Sequence, residues 1–142
     1  MSKKYLKKAF QFCLKNGHRL TEPRKKVLEI IASSTKPIKA YEILKKLSIP
    51  LNFPKPPTAY RAIEFWQTHN FIHRIESLNS YFICKANHKH KGAQFMVCNK
   101  CGVVIESHIC EIPSEIVESL KKKSFAPLSW NLEVSGTCRQ CS

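Results

Sequence analysis

Acidic residues are scarce in this chain: 10 Asp+Glu stand against 24 Lys+Arg in 142 residues, a formal net charge of +14. No apolar run approaches the roughly 18 residues that cross a bilayer, which excludes a spanning helix on pattern. The amino terminus, beginning Met1-Ser2-Lys3-Lys4, is basic but has no apolar stretch followed by a small-residue cleavage site. It does not read as a secretory signal, so the cytoplasm is the expected compartment. There is no catalytic triad, phosphate-cradling loop or paired general acid and base, so neither enzyme activity nor a small-molecule substrate is expected. Internal repeats and low-complexity segments are also missing. What is present is a 43% hydrophobic fraction, typical of a folded domain.

The positive charge is uneven. Met1–Leu78 holds 16 basic and 5 acidic residues, a net of +11, and Asn79–Ser142 holds 8 and 5, a net of +3. A polyanion is therefore expected to meet the first half. Nucleic acid fits; an acidic membrane or a merely solvated surface fits the charge alone as well. Seven cysteines in a chain expected in the cytosol point to metal ligation or redox work rather than a disulfide scaffold.

Apolar spacing predicts a helix over Lys3–Asn16, with Leu6, Phe10 and Cys13 or Leu14 on one side, ended by Gly17. Thr21 reads as the N-cap of a second helix, with Pro23 in its first turn and Val27, Leu28, Ile30 and Ile31 as its apolar face. A third helix is predicted over Ala40–Ser48, with Ile43, Leu44 and Leu47 inward. A fourth starts at Pro57 or Thr58 and runs to about His69-Asn70. Its apolar stripe is Ala59, Ile63 and Trp66, which leaves Tyr60, Arg61 and Glu64 outward. Phe71–Ser77 and Ser80–Cys84 read as strands joined by a tight turn at Leu78-Asn79. Helices three and four followed by a hairpin make a winged helix-turn-helix, with the wing at about 71–84. Residues 1–84 are thus expected to be a DNA-binding domain and 85–92 a linker. Residues 93–142 form a small α/β domain, with strands at Gln94–Cys98, Val103–Ser107 and Trp130–Val134 and a helix at Pro113–Lys123. That half is too small for a large core and needs a metal, a partner chain or both.

Cys98-x-x-Cys101-Gly102 and Cys138-x-x-Cys141 carry the strongest chemical signal. Two residues between cysteines let a tight turn aim both thiolates at one ion, and four thiolates close a tetrahedral structural zinc site. A redox Cys-x-x-Cys is the plainer alternative, but it does not come in two pairs. A second set is His73, Cys84, His88, His90 and Glu106, whose imidazole, thiolate and carboxylate donors suit four-coordinate zinc. By spacing alone the same residues also fit plainer roles, His73 as a surface strand residue and Cys84 as a buried thiol. His108 shares a strand face with Glu106 and is an alternative ligand. Cys13 and Cys110 have no partner spacing. Tyr60 and Arg61 sit where a recognition helix touches bases, and Lys15 and Lys55 are expected on phosphates. Thr58 and Arg19 complete the candidate DNA-contacting set.

Gly17-His18-Arg19-Leu20-Thr21-x-x-Arg24-x-x-Val27-Leu28 resembles the opening of ferric-uptake-regulator-type repressors. Lys55-Pro56-Pro57-Thr58-Ala59-Tyr60-Arg61-Ala62 resembles the start of their recognition helix. The two Cys-x-x-Cys pairs complete the pattern, and the segment His73–Cys84 is similar to the wing-to-hinge segment of the zinc uptake regulator branch. The resemblance covers nearly the whole chain. It implies a homodimeric, zinc-dependent repressor of zinc-uptake genes that binds a palindromic duplex operator, with two zinc ions per subunit. One is structural. The other is sensed at the hinge by His73, Cys84, His90 (or His88) and Glu106. The alternatives are an iron, manganese or peroxide sensor of the same family, a constitutive zinc-ribbon nucleic-acid adaptor, and a thiol oxidoreductase. A thiolate among the hinge ligands favours zinc over iron or manganese, which prefer harder donors.

Overall fold

The computed structural model describes residues 2–85, 92–107 and 111–142, and these form two compact units, Met1–Cys84 and Lys85–Ser142. The first unit runs α1 (Ser2–Lys15), α2 (Glu22–Ser33), β1 (Ile38–Lys39), α3 (Ala40–Leu47), α4 (Pro56–Thr68), β2 (Ile72–Ile75) and β3 (Ser80–Ile83). Local chemistry sets the helix ends. Gly17 takes a left-handed φ of 67° just past α1, where a side chain would be strained. Thr21 caps α2, its hydroxyl oxygen accepting from the Arg24 N–H at 3.4 Å. Lys55 is the N-cap of α4, and Pro56 and Pro57 open that helix one residue earlier than proline placement alone suggests.

Val27, Leu28 and Ile31 of α2 pack with Ile43 and Leu47 of α3 and Ala59, Ile63 and Trp66 of α4 to form the core. Trp66 lies at its centre, fully buried, and its indole N–H donates to the Arg24 carbonyl at 2.7 Å. From α1 the core receives Ala9 and Cys13, while Leu14 stays in water. Leu6 and Phe10 pack partly against the core beside them, so Cys13 rather than Leu14 completes the expected inward side. The β-sheet has order β1-β3-β2, all antiparallel. The β2–β3 connection is longer than the expected two-residue turn: Ile75 pairs with Ser80, leaving Glu76–Asn79 as the loop. Asn79 takes a φ of 46°, and its side-chain oxygen accepts from Arg74 Nη2 at 2.8 Å, which holds that longer turn closed.

The second unit holds β4 (Gly92–Cys98), β5 (Val104–Ser107), α5 (Ser114–Lys122) and β6 (Trp130–Gly136). β4 is central, antiparallel to β5 and parallel to β6. Ala93, Phe95 and Val97 are buried on it. The indole of Trp130 lies on Gly92 so closely that a Cβ there would overlap it, which explains a glycine at that strand end. The other sheet face is open: Ile105, Met96 and Val134 are register neighbours across three strands and are 48%, 42% and 48% exposed. α5 buries no residue within the unit. Among the described residues no helix is long and apolar enough to cross a membrane.

Candidate metal centre and nucleic-acid interface

Two knuckles at the same edge of the second unit build the cysteine cluster. Cys98 ends β4, and the Gly102 N–H closes the first turn onto the Cys98 carbonyl at 2.9 Å. Gly102 has a φ of 73°, a conformation that favours glycine. The parallel pairing of β4 with β6 brings Gly136 level with Cys98, and Cys138 follows two residues later. The Cys141 N–H then folds back to the Cys138 carbonyl at 3.0 Å, closing the second turn. One sulfur from each of Cys98, Cys101, Cys138 and Cys141 lies within 4.8 Å of the other three. The 3.7 Å between the sulfurs of Cys101 and Cys138 is far too long for a disulfide. It matches the edge of a tetrahedron with metal–sulfur bonds of about 2.3 Å, which is about 3.8 Å. The donor set fits zinc.

The four thiols are electrostatically unequal. Backbone N–H groups, first that of Cys101 and then that of Cys138, lower the Cys98 thiol to about 6, and the Cys138 N–H lies 3.3 Å from its sulfur. Hydrogen bonds with Cys138 and then Cys101 push Cys141 up to about 12. The cluster therefore favours the thiolate at Cys98 and the thiol at Cys141, and a metal ion must displace the protons that remain. Lys100, between the first two cysteines, donates to the Cys141 carbonyl at 3.0 Å and ties the knuckles together.

In the first unit, hairpin register brings two further donors together. His73 is opposite Phe82, and Cys84 lies two residues beyond Phe82, so the two project on one face as diagonal neighbours. Their donor atoms lie within 4.8 Å. Cys84 is buried, and its N–H donates to the Phe71 carbonyl at 3.0 Å. Glu106 belongs to β5 of the second unit, where a carboxylate oxygen accepts from the Lys85 N–H at 3.2 Å. His90, its alternative His88, and also His108 and Cys110 lie outside the described residues. Cys13 is a buried core thiol whose pKa is raised by that burial.

The outward side of α4 carries Tyr60 and Arg61. Tyr60 is 54% exposed, so it is not a core residue. Arg61 and Lys55 are exposed at the same helix end, and Thr58 is half-buried. Lys15, in the last turn of α1, and Arg19 are exposed. Sequence pattern did not single out Arg24 as a positioning residue. Its guanidinium lies 3.7 Å from the centroid of the Phe65 ring, its Nη1 donates to the Arg19 carbonyl at 2.6 Å, and its own carbonyl holds Trp66. These contacts lock α4 against α2. Nor did pattern show the cluster of His18 and His69, whose rings are 4.6 Å apart beside Phe12 and Phe65. Its members lie far apart in the chain.

The model of the ferric uptake regulator family matches residues 15–135. The chain belongs to the ferric uptake regulator family. This is a family of transcription regulators rather than enzymes. The zinc uptake regulation protein of Escherichia coli (strain K12) is 34% identical over 139 residues, covering 96% of this chain and 80% of that relative. A solved structure of a zinc uptake regulator complexed with zinc and DNA is similar, with a TM-score of 0.85 at 32% identity, over 99% of this chain and 95% of that one. The crystal structure of holo XcZur gives 0.85 at 32% identity, over 97% and 96%.

Proposed function

We propose that this chain is a zinc-dependent, DNA-binding transcriptional repressor of zinc-uptake genes, working in the cytoplasm as a homodimer on a palindromic operator. The observation that carries this reading is a two-part donor set on a family fold. A four-thiol cluster fit for zinc stands with a separate thiol–imidazole pair in the DNA-binding unit. The similarity to a zinc uptake regulator complexed with zinc and DNA supports it.

Two zinc ions per subunit are assigned. Cys98, Cys101, Cys138 and Cys141 hold the structural one. His73, Cys84, His90 (or His88) and Glu106 hold the regulatory one, and the thiolate of Cys84 selects zinc over iron or manganese. Zinc held by these residues would supply Lewis-acid cross-linking of its donors. The remaining work belongs to the protein. Tyr60 and Arg61 of α4 meet base edges, with Arg61 suited to guanine and Tyr60 to thymine methyls or phosphate. Lys55, Lys15, Arg19 and Thr58 hold phosphates and fix register. Moving such a switch from 1:99 to 99:1 requires about 5.5 kcal/mol of differential binding, within reach of one well-made zinc site.

The homodimer is supported by the open Ile105–Met96–Val134 face and by α5, neither covered within the unit. A two-fold dimer reads two half-sites about 34–36 Å apart, hence a palindrome. The test is zinc analysis before and after mild chelation, paired with DNA binding. Two zinc per subunit falling to one, with loss of specific binding restored by zinc, is the expected result. Specific binding that persists after the labile zinc leaves would point instead to a constitutive adaptor.

A further inference from the structure

The apolar side of helix α1 is wider than its contact with the core. Ala9 and Cys13 fill the inner face, with no more than 1% of either exposed. Along the solvent edge of that side Leu6, Phe10 and Leu14 recur every fourth residue and form a continuous row. Leu6 and Phe10 pack partly against the core, but Leu14 is 84% exposed. With Lys3, Lys7 and Gln11 these three line a shallow groove of about 450 Å³. Lys25 of α2 places its ammonium 6.0 Å from the Phe10 ring centroid, adding a cation to the border. Residues 2–15 contain no Asp or Glu.

We propose that this outer face of α1 docks an acidic amphipathic helix of a partner protein. Charge and shape together select that occupant. A second copy of the same face would set lysine against lysine. Duplex DNA would engage the lysines and leave Leu14 in water. A bilayer surface calls for a broad apolar face, and only a single row is available because the rest of the apolar side is committed to the core. One apolar side chain per turn over eight residues, about 12 Å, is the footprint of a single helix crossing. Lysines on its border pair with Glu or Asp flanking the partner's own apolar row.

The probe is a fluorescein-labelled helical peptide about four turns long, with leucine once per turn and glutamate on both sides of that row. Fluorescence anisotropy follows its binding to the full-length, zinc-loaded protein. Saturable binding that weakens with salt is expected. Leu14→Glu should reduce affinity at least about tenfold while leaving the melting temperature unchanged, since the side chain is already in water. The double variant Lys3→Glu/Lys7→Glu should reject this peptide and accept one with lysine in place of glutamate. Equal binding by wild type and Leu14→Glu, or equal binding of a scrambled peptide, would overturn the proposal. So would uptake of the wild type by phosphatidylglycerol vesicles with no binding of the peptide, which would assign the face to a lipid surface.

Discussion

Cys138 contributes twice to the cysteine cluster: its thiol lies 3.7 Å from that of Cys101, and its N–H points at Cys98 Sγ at 3.3 Å. Serine in its place keeps the backbone donor and removes the fourth thiolate. Cys138→Ser should therefore lose the tightly held zinc and unfold the second unit at markedly lower temperature, a cost of several kcal/mol. Zinc analysis and a thermal melt check this, and a variant that retains one zinc and melts like wild type would refute the structural assignment. Cys84 makes the contrasting case. It is buried beside His73 and shares no atom with the four-thiol cluster. Cys84→Ala should leave the fold and the structural zinc intact. It should move the zinc midpoint of operator binding upward by more than the roughly 10–100-fold typical of losing a second-shell partner. Zinc titrations of both proteins at fixed ionic strength measure it. Superimposed midpoints would make Cys84 a packing thiol and remove the proposed sensor.

At the scale of elements, α4 separates two kinds of contact. Arg61→Ala should cost roughly 1–3 kcal/mol on an operator and relax base preference at one position of each half-site. Lys55→Ala should weaken every duplex alike and flatten the salt dependence. Gel shifts on operator and random duplexes over a salt series distinguish them; equal losses on both duplexes for both variants would remove α4 from the reading role. Much of this element was legible in sequence, because a proline pair and the Ala59–Ile63–Trp66 spacing are local signals. The caps at Gly17 and Thr21 and the four zinc-spaced cysteines were legible for the same reason. What sequence could not supply is non-local. β1 is two residues long and exists only through its pairing with β3. The grouping of His73 with Cys84 was legible, but its register was not: the turn has four residues rather than two, which sets Cys84 diagonal to His73 instead of opposite it. On α1 the spacing left Cys13 and Leu14 as alternatives for the inward side, because only packing against the core decides between neighbours on a helix; Cys13 is buried and Leu14 is not.

For the whole molecule, the division of labour follows the charge: +11 of the net +14 lies in Met1–Leu78, while the second unit carries an open apolar sheet face. The row Ile105–Met96–Val134 crosses three paired strands, so a charge at its edge disturbs the whole face at once. In a two-fold contact each substitution also enters the interface twice. Ile105 is 48% exposed within its unit, so Ile105→Asp should leave the monomer fold and the four-thiol zinc in place. The dimer should dissociate, with sedimentation velocity giving one subunit per particle at micromolar concentration. Operator affinity should then collapse toward that of an isolated half-site. Two linked reading heads profit from an effective concentration that raises avidity by about 10²–10⁴, and single heads lose that gain. Binding to a duplex with only one half-site should change little, because Tyr60 and Arg61 are untouched. This isolates loss of pairing from loss of folding or of zinc. A variant that sediments as a dimer and binds the full operator like wild type would mean that the open sheet face is not where two copies meet.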